Sequence, residues 1–180
     1  MTATMPRFKY SEAELKKILS RIIIMTDSRE QENGHIISYF ERNKIKHEEY
    51  ALSCGDYSIK LPAMPEAGIM RDIYFDKSIV IERKANLEEL SNNFSAERVR
   101  FENEFLRAGD SKKFLIVEEA SYEHIILHSY NSKLNEKAFL ASLLSFQEKY
   151  NLNVCFTGQG STGQVISGIL YYHVRHFLLN

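Results

Sequence analysis

A wholly apolar run, IIIM at residues 22–25, stands between an amphipathic stretch and a polar loop, and similar alternations recur to the end of the chain. Residues 11–20, SEAELKKILS, have the spacing of a short amphipathic helix, with Ser11 as N-cap and Glu14 three residues on, a capping-box pattern. RIIIMT (21–26) reads as a strand of the kind found in a sheet covered on both faces. The polar loop DSREQENG leads into helical periodicity in HIISYFERNKI (35–45). Two short strands, HEEYALS (47–53) and DYSIKL (56–61), flank Cys54-Gly55, and PAMPEAG (62–68) is a turn-rich excursion. IMRDIYF (69–75) and SIVIERK (78–84), joined by a turn at Asp76-Lys77, read as a hairpin.

The second half alternates more regularly. One long helix is expected over about Leu87–Ala108, followed by a strand in KFLIVEE (113–119). YEHIILHSY (122–130) and NEKAFLASLLSFQEKY (135–150) read as helices, and LNVCFT (152–157) as a strand. STGQVISGILYYHVRHFLL (161–179) closes as a helix capped near Ser161 or Thr162. Strands alternating with helices predict a three-layer α/β/α domain around a central mixed sheet. The domain is expected over residues 21–180, with residues 1–20 as an N-terminal extension carrying the first helix.

Composition narrows the class without naming it. A chain of 180 residues, 44% hydrophobic and 26% charged, suits one soluble globular domain. The net charge of −1 gives no global basic field, so any nucleic-acid surface has to be a local patch. Cys54 and Cys155 lack metal-ligand spacing and read as small buried hydrophobes in a reducing compartment. The segment MTATMPRFKYSEAELKK has no apolar signal-peptide core, and no apolar run is long enough to span a bilayer. A cytoplasmic protein with no membrane partner is the expectation.

The strand SIVIERK ends on charges. Alternation puts Glu82 and Lys84 on one face and Arg83 on the other. Alone, the pair also describes an ordinary salt bridge at a sheet edge. But IIIMT delivers Asp27 and the Cys54-Gly55 turn delivers Asp56 to two further strand ends. Three such carboxylates on neighbouring strands repel unless something positive lies between them. All-oxygen ligands suit a hard ion, Mg²⁺ or Mn²⁺, rather than zinc. Lys84 beside that ion could orient or deprotonate a water, or stabilise developing negative charge. The set fits metal-assisted phosphodiester hydrolysis.

In order, TDSRE (26–30), GDY (55–57) and IERK (81–84) resemble the motifs of the XPF (xeroderma pigmentosum group F, ERCC4-type) nuclease domain, a branch of the PD-(D/E)XK nuclease superfamily. The similarity runs from about Ile22 to the C-terminus, because FLIVEE and SFQEKYNLNVCFT fall where the later strands and helix of that family are expected. The resemblance implies a restriction-endonuclease-like core. It makes Asp27, Asp56 and Glu82 metal ligands for Mg²⁺ (or Mn²⁺), with Lys84 placing the attacking water and Arg29, Glu30 and Arg83 in support. The family's final Asp falls on Glu88, one methylene longer and equally readable as a carboxylate favoured at a helix N-terminus. Arg98 lies on the otherwise apolar stripe Leu87, Leu90, Phe94, Phe101, Phe105. It reads either as a snorkelling side chain or, since the family has an arginine about here, as one aimed at the site or a phosphate.

The resemblance also implies DNA as substrate, cut near branch points such as flaps, forks or junctions. Arg83, Lys84, Arg98, Arg100, Arg107, Lys112 and Lys113 supply local charge for phosphates. Family members generally pair two nuclease-type domains and add a tandem helix-hairpin-helix module. No such module is apparent here, so a homodimer or a partner protein is expected, through the apolar AFLASLLSFQ and VISGILYYHVRHFLL segments unless these simply form core. A stand-alone nuclease of this kind fits a bacterial or phage repair or recombination system. The alternative function is a non-catalytic nuclease-fold scaffold, against which the presence of Asp27, Asp56, Glu82 and Lys84 argues. Another PD-(D/E)XK enzyme would share the chemistry but not the substrate. His124 and His128 lack a third ligand, YYHVRH reads as a packed helix with a basic edge, and GQGSTGQ lacks the Gly-Lys-Ser/Thr of a phosphate loop.

Overall fold

Ser11 starts the first helix as its sequence predicts. Its hydroxyl accepts the Glu14 N–H, and the Glu14 carboxylate accepts the Ser11 N–H at 2.8 Å, which opens α1 (Glu12–Leu19). In the computed structural model, which describes residues 9–179, the elements then follow in order. They are β1 (Ile23–Asp27), α2 (Gly34–Arg42), β2 (His47–Tyr50), β3 (Tyr57–Leu61), β4 (Ile73–Tyr74) and β5 (Ile79–Lys84). After these come α3 (Leu87–Asn93), α4 (Arg98–Arg107), β6 (Lys112–Glu118), α5 (Tyr122–Ile126), α6 (Glu136–Tyr150), β7 (Leu152–Thr157) and α7 (Thr162–Leu179).

The sheet runs β2-β1-β3-β5-β6-β7, with β4 beside β3. β1 and β2 are parallel, as are β5, β6 and β7, while β3 is antiparallel to both β1 and β5. The sheet is therefore mixed, as expected. Ile116 of β6 joins a core with α1, α2 and α7, and its neighbours Leu115 and Val117 join the core formed with α3, α4, α5 and α6. Coverage of both faces explains why this strand is almost continuously apolar. α7 buries Ile166, Leu170, Val174 and Leu178, so much of its apolar surface is core. It meets α2 at Gly163, where an added Cβ would stand 2.8 Å from the Tyr39 side chain. Among the described residues no helix is long and apolar enough to cross a membrane.

Two local expectations are corrected. The 69–84 segment is not a hairpin: β4 pairs with β3 at Lys60 and Leu61, and β5 pairs with it at Tyr57, both antiparallel. The chain through Asp76-Lys77 therefore kinks and continues along one edge instead of reversing. The Phe75 N–H holds the kink by donating to the Ile59 carbonyl at 3.0 Å, and the Ser58 hydroxyl donates to the Ile79 carbonyl at 2.9 Å. The long helix expected over Leu87–Ala108 is two helices, α3 and α4. Ser side chains here compete for the backbone: the Ser91 hydroxyl donates to the Glu88 carbonyl and the Ser95 hydroxyl to the Ser91 carbonyl, both at 2.8 Å, and the Glu97 N–H donates to the Asn92 carbonyl at 3.0 Å. At the break Phe94 turns inward onto Phe101, Phe139 and Phe146.

Candidate active site

Because β3 runs against β1 and β5, its start lies beside their ends. The Asp27 N–H donates to the Asp56 carbonyl and the Asp56 N–H to the Ile81 carbonyl, both at 2.8 Å. Three acidic side chains thus arise from adjoining backbone. Gly55 makes the approach possible: its φ is +71°, and a Cβ there would lie 3.1 Å from the Ile81 carbonyl oxygen and 3.2 Å from Val80 Cβ. Gly55→Ala is expected to cost about 2 kcal/mol or more, from left-handed strain plus this contact. Chemical denaturation measures that cost directly.

Each side chain has its own electrostatic setting. Asp27 is buried, and its carboxylate accepts from Arg29 Nε at 2.6 Å, Arg29 Nη2 at 3.1 Å and the Leu52 N–H at 2.8 Å. Burial pushes its pKa upward, but these donors outweigh burial and hold it below the usual range. Asp56 Oδ2 accepts the Arg83 N–H at 2.7 Å. Burial, and after it the charge of Glu82, still pushes Asp56 well above the usual carboxylate range. Lys84 Nζ lies 2.8 Å from Glu82 and 3.2 Å from Glu89, over the Phe101 ring. Burial works against its charge, but Glu82 and Glu89 prevail and raise its pKa, so Lys84 is an ammonium at neutral pH.

Arg83 points to the opposite face, as strand alternation requires. Its guanidinium lies 3.0 Å from Glu30 and 2.6 Å from Glu118, and His35 Nε2 is 2.7 Å from Glu118. Burial opposes the charge on Glu118, but hydrogen bonds from Arg83, Thr162 and His35 leave its pKa lowered. Arg83 therefore braces the sheet behind the site.

The front face opens into a cleft of about 470 Å³, walled on one side by Asp27, Asp56, Glu82 and Lys84 and on the other by α4. Glu97, Arg100, Phe101, Glu104 and Arg107 all line it. Their spacing marks one helical face, a signal the sequence carried beside the apolar stripe. Glu104 was missed: burial, then the charge of Glu82, push it up to about 6. Glu89, Glu118 and His35 were missed as well, since only the tertiary fold brings them to the motif residues.

Other expected site residues lie elsewhere. Glu88 accepts the Asn131 N–H at 2.7 Å and ties down a loop, while Glu89, its neighbour, lines the cleft. Arg98 donates to the Ser142 hydroxyl at 3.2 Å and lies 5.2 Å over the Phe146 ring, which is the packing alternative. Lys112 and Lys113 begin β6, paired with Ile79 and Val80, at the end of the sheet remote from Glu82 and Lys84. Lys113 is buried and donates to the Gly109 and Ser111 carbonyls at 2.5 and 3.1 Å, so it is not free for phosphate. Of the seven residues expected to supply charge for phosphates, Arg100 and Arg107 line the cleft from α4, and Lys84 and the buried Arg83 line it from the sheet.

Among the described residues, no three acidic, His or Cys side chains are already gathered to grip a metal ion. Asp27 is taken up by Arg29 and Leu52. The chemistry of the remaining donors nevertheless fits a hard cation: Asp56 and Glu82 line one cleft, and Asn93, another lining residue, has a buried Oδ1 with no hydrogen-bond partner among the described residues. Asp56 and Glu104 ionise less readily folded than unfolded, so the native state holds more protons than the unfolded state between their unfolded and folded pKa values. Stability should therefore fall as pH rises from about 4 through about 6. Glu118 and Asp27, lowered instead, contribute stability above their unfolded values and lose it as pH falls through their folded ones. Thermal melts across pH 4–8 in EDTA and in Ca²⁺ check this: the ion should remove the decline.

The match that decides the family is to the ERCC4 domain, over residues 26–166 of the 180. The chain belongs to the ERCC4-domain family. The XPF resemblance of the motifs therefore holds. The ERCC4 domain here superposes on XPF from Aeropyrum pernix with a TM-score of 0.58 and 20% identity, covering 84% of this chain and 61% of that one. It also superposes on the Aeropyrum pernix XPF solved in complex with DNA, with a TM-score of 0.62 and 19% identity, covering 87% and 66%. The expected three-layer α/β fold with a mixed sheet is the one these structures share. The chain thus spans less than two thirds of either matched XPF chain. A comparison with curated proteins finds no match.

Proposed function

We propose that this ERCC4 domain is a divalent-metal-dependent endodeoxyribonuclease that hydrolyses phosphodiester bonds near branch points in DNA. The observation that carries the reading is the junction of β1, β3 and β5, where Asp56, Glu82 and Lys84 share one cleft. Family membership and the DNA complex of the Aeropyrum pernix XPF support the choice of substrate. Asp56 and Glu82 are the residues that would hold Mg²⁺ or Mn²⁺. Asp27 would join only by loosening its pairing with Arg29. When bound, the ion supplies Lewis-acid polarisation of the phosphate and of the attacking water. Lys84, held protonated, does not take a proton; it orients the water and stabilises negative charge on the phosphoryl oxygens as the P–O bond breaks.

Arg100 and Arg107, with side chains 77% and 51% exposed at the lip of the cleft, are the phosphate contacts of this reading. Arg100→Ala and Arg107→Ala should each weaken DNA binding uniformly across sequences and lower the salt slope by about one unit. Lys112→Ala should leave both unchanged. Fluorescence anisotropy over a salt series measures the difference. Cleavage of end-labelled forked, flapped and linear DNA of matched sequence tests the substrate: branched forms should be cut first. Equal cutting of all forms would favour a general PD-(D/E)XK nuclease, and uncut but bound DNA would favour the scaffold alternative.

A further inference from the structure

The start of β1, at the other end of that strand from Asp27, lies in a basic surface. Residues 16–24, KKILSRIII, and 42–46, RNKIK, together carry six basic side chains and no acidic one. The two segments are neighbours in space, because β1 and β2 run parallel and the Ile24 N–H donates to the Lys46 carbonyl at 2.9 Å. Lys16, Lys17, Arg21, Arg42, Lys44 and Lys46 are all exposed, and among the described residues none of them has an ion-pair partner. At the cleft, by contrast, Arg29, Arg83 and Lys84 each hold a carboxylate. Lys16, Lys17 and Arg42 sit in the last turns of α1 and α2, where the helix dipole favours a cation. Arg21, Lys44 and Lys46 lie outside those turns. Lys44 even holds a left-handed φ of +56°, which glycine would adopt at less cost.

Between these cations opens a pocket of about 350 Å³ with a largely apolar lining that includes Leu19, Ile22, Ile45 and Tyr171, and Lys44 and Lys46 line it too. Leu19 and Ile22 precede the ERCC4 match and Tyr171 follows it, so much of the pocket comes from segments that flank the matched domain. We infer that this pocket docks a short acidic segment of a partner protein. An apolar side chain of that segment would seat against Leu19, Ile22, Ile45 and Tyr171, with its carboxylates over Arg21, Lys44 and Lys46. Duplex DNA would use the cations and gain nothing from the apolar floor, and a neutral ligand would use the floor alone. An acidic segment with one apolar anchor uses both, the anchor giving affinity and the charged rim giving steering and specificity. The inference goes beyond the nuclease reading and does not depend on it.

The test is fluorescence anisotropy of the labelled peptide DDDDLF with the full chain, beside DDDDSS, NNNNLF and a short DNA duplex. Gly168 of α7, another lining residue, supplies the sharpest variant, because an added Cβ there meets nothing within 4 Å. Gly168→Leu should therefore fill the pocket while favouring the helix, and melt no lower than wild type. Wild type should prefer DDDDLF to both control peptides, and Gly168→Leu should weaken that binding by about tenfold or more. The double variant Lys44→Glu, Lys46→Glu should weaken it by at least as much, and carries the comparison if Gly168→Leu does not fold. Absence of binding, equal binding of the three peptides, or binding that survives both variants would overturn the proposal. Tighter binding of the duplex, lost on reversing Lys44 and Lys46, would make the patch a nucleic-acid surface and overturn it as well.

Discussion

Glu82→Gln is expected to fold, to bind branched DNA as wild type does, and to lose turnover by about 10²–10³-fold. The substitution keeps the shape of the side chain and removes only its charge. Lys84 retains Glu89 at 3.2 Å, so no buried cation is left unpaired. The charge that pushes up Asp56 and Glu104 disappears, which should leave the melting temperature unchanged or raised. Loss of cutting with an intact melt therefore isolates the chemistry. Single-turnover cleavage beside calorimetry makes the measurement; full activity in this variant would remove Glu82 from the reaction.

The largest effect on stability should come from the other face of the same strand. Arg83→Met leaves Glu30 and Glu118 facing each other across a site from which their shared cation, 3.0 and 2.6 Å away, has gone. Breaking a buried pair from one side costs about 3–5 kcal/mol. For a domain of this size that is a fall of about 6–20 °C in melting temperature. Adding Glu118→Gln should recover part of the loss, because it removes one of the stranded carboxylates. No recovery would mean that Arg83 contributes packing alone.

Arg83 also shows what was legible in the sequence and what was not. Strand alternation is local, so the opposed faces of Glu82, Arg83 and Lys84 could be read from IERK without knowing the neighbours. The Ser11 capping box and the apolar strands β1 and β6 were legible for the same reason: caps and short apolar runs are patterns of a few residues. The kink at Asp76-Lys77 was not, because a hairpin and a kinked strand on one edge of β3 have the same polar pattern. The break in the long helix depended on the Ser91 and Ser95 hydroxyls capturing backbone carbonyls, a competition that helical spacing alone does not decide.

The candidate site divides along the same line. The motif acids sit at adjoining strand ends because topology placed them there, and the motifs marked all of them. Glu104, Glu118 and His35 reach the site from α4, β6 and α2, so only the packing of those elements could reveal them. Arg98 and Lys113 misled for the converse reason. A positive charge in sequence near the motif was taken for a positive charge near the cleft, whereas Arg98 packs on Phe146 and Lys113 is buried against backbone carbonyls.

The most direct trial of the central claim is a metal switch on a preformed complex. The protein is bound to an end-labelled fork in EDTA, excess Mg²⁺ is added, and one turnover is followed on a denaturing gel. The account predicts intact strands before the addition and a defined cut near the branch after it. Strands that stay whole while the complex persists, or that are cut in EDTA, would contradict a divalent-metal centre at Asp56 and Glu82.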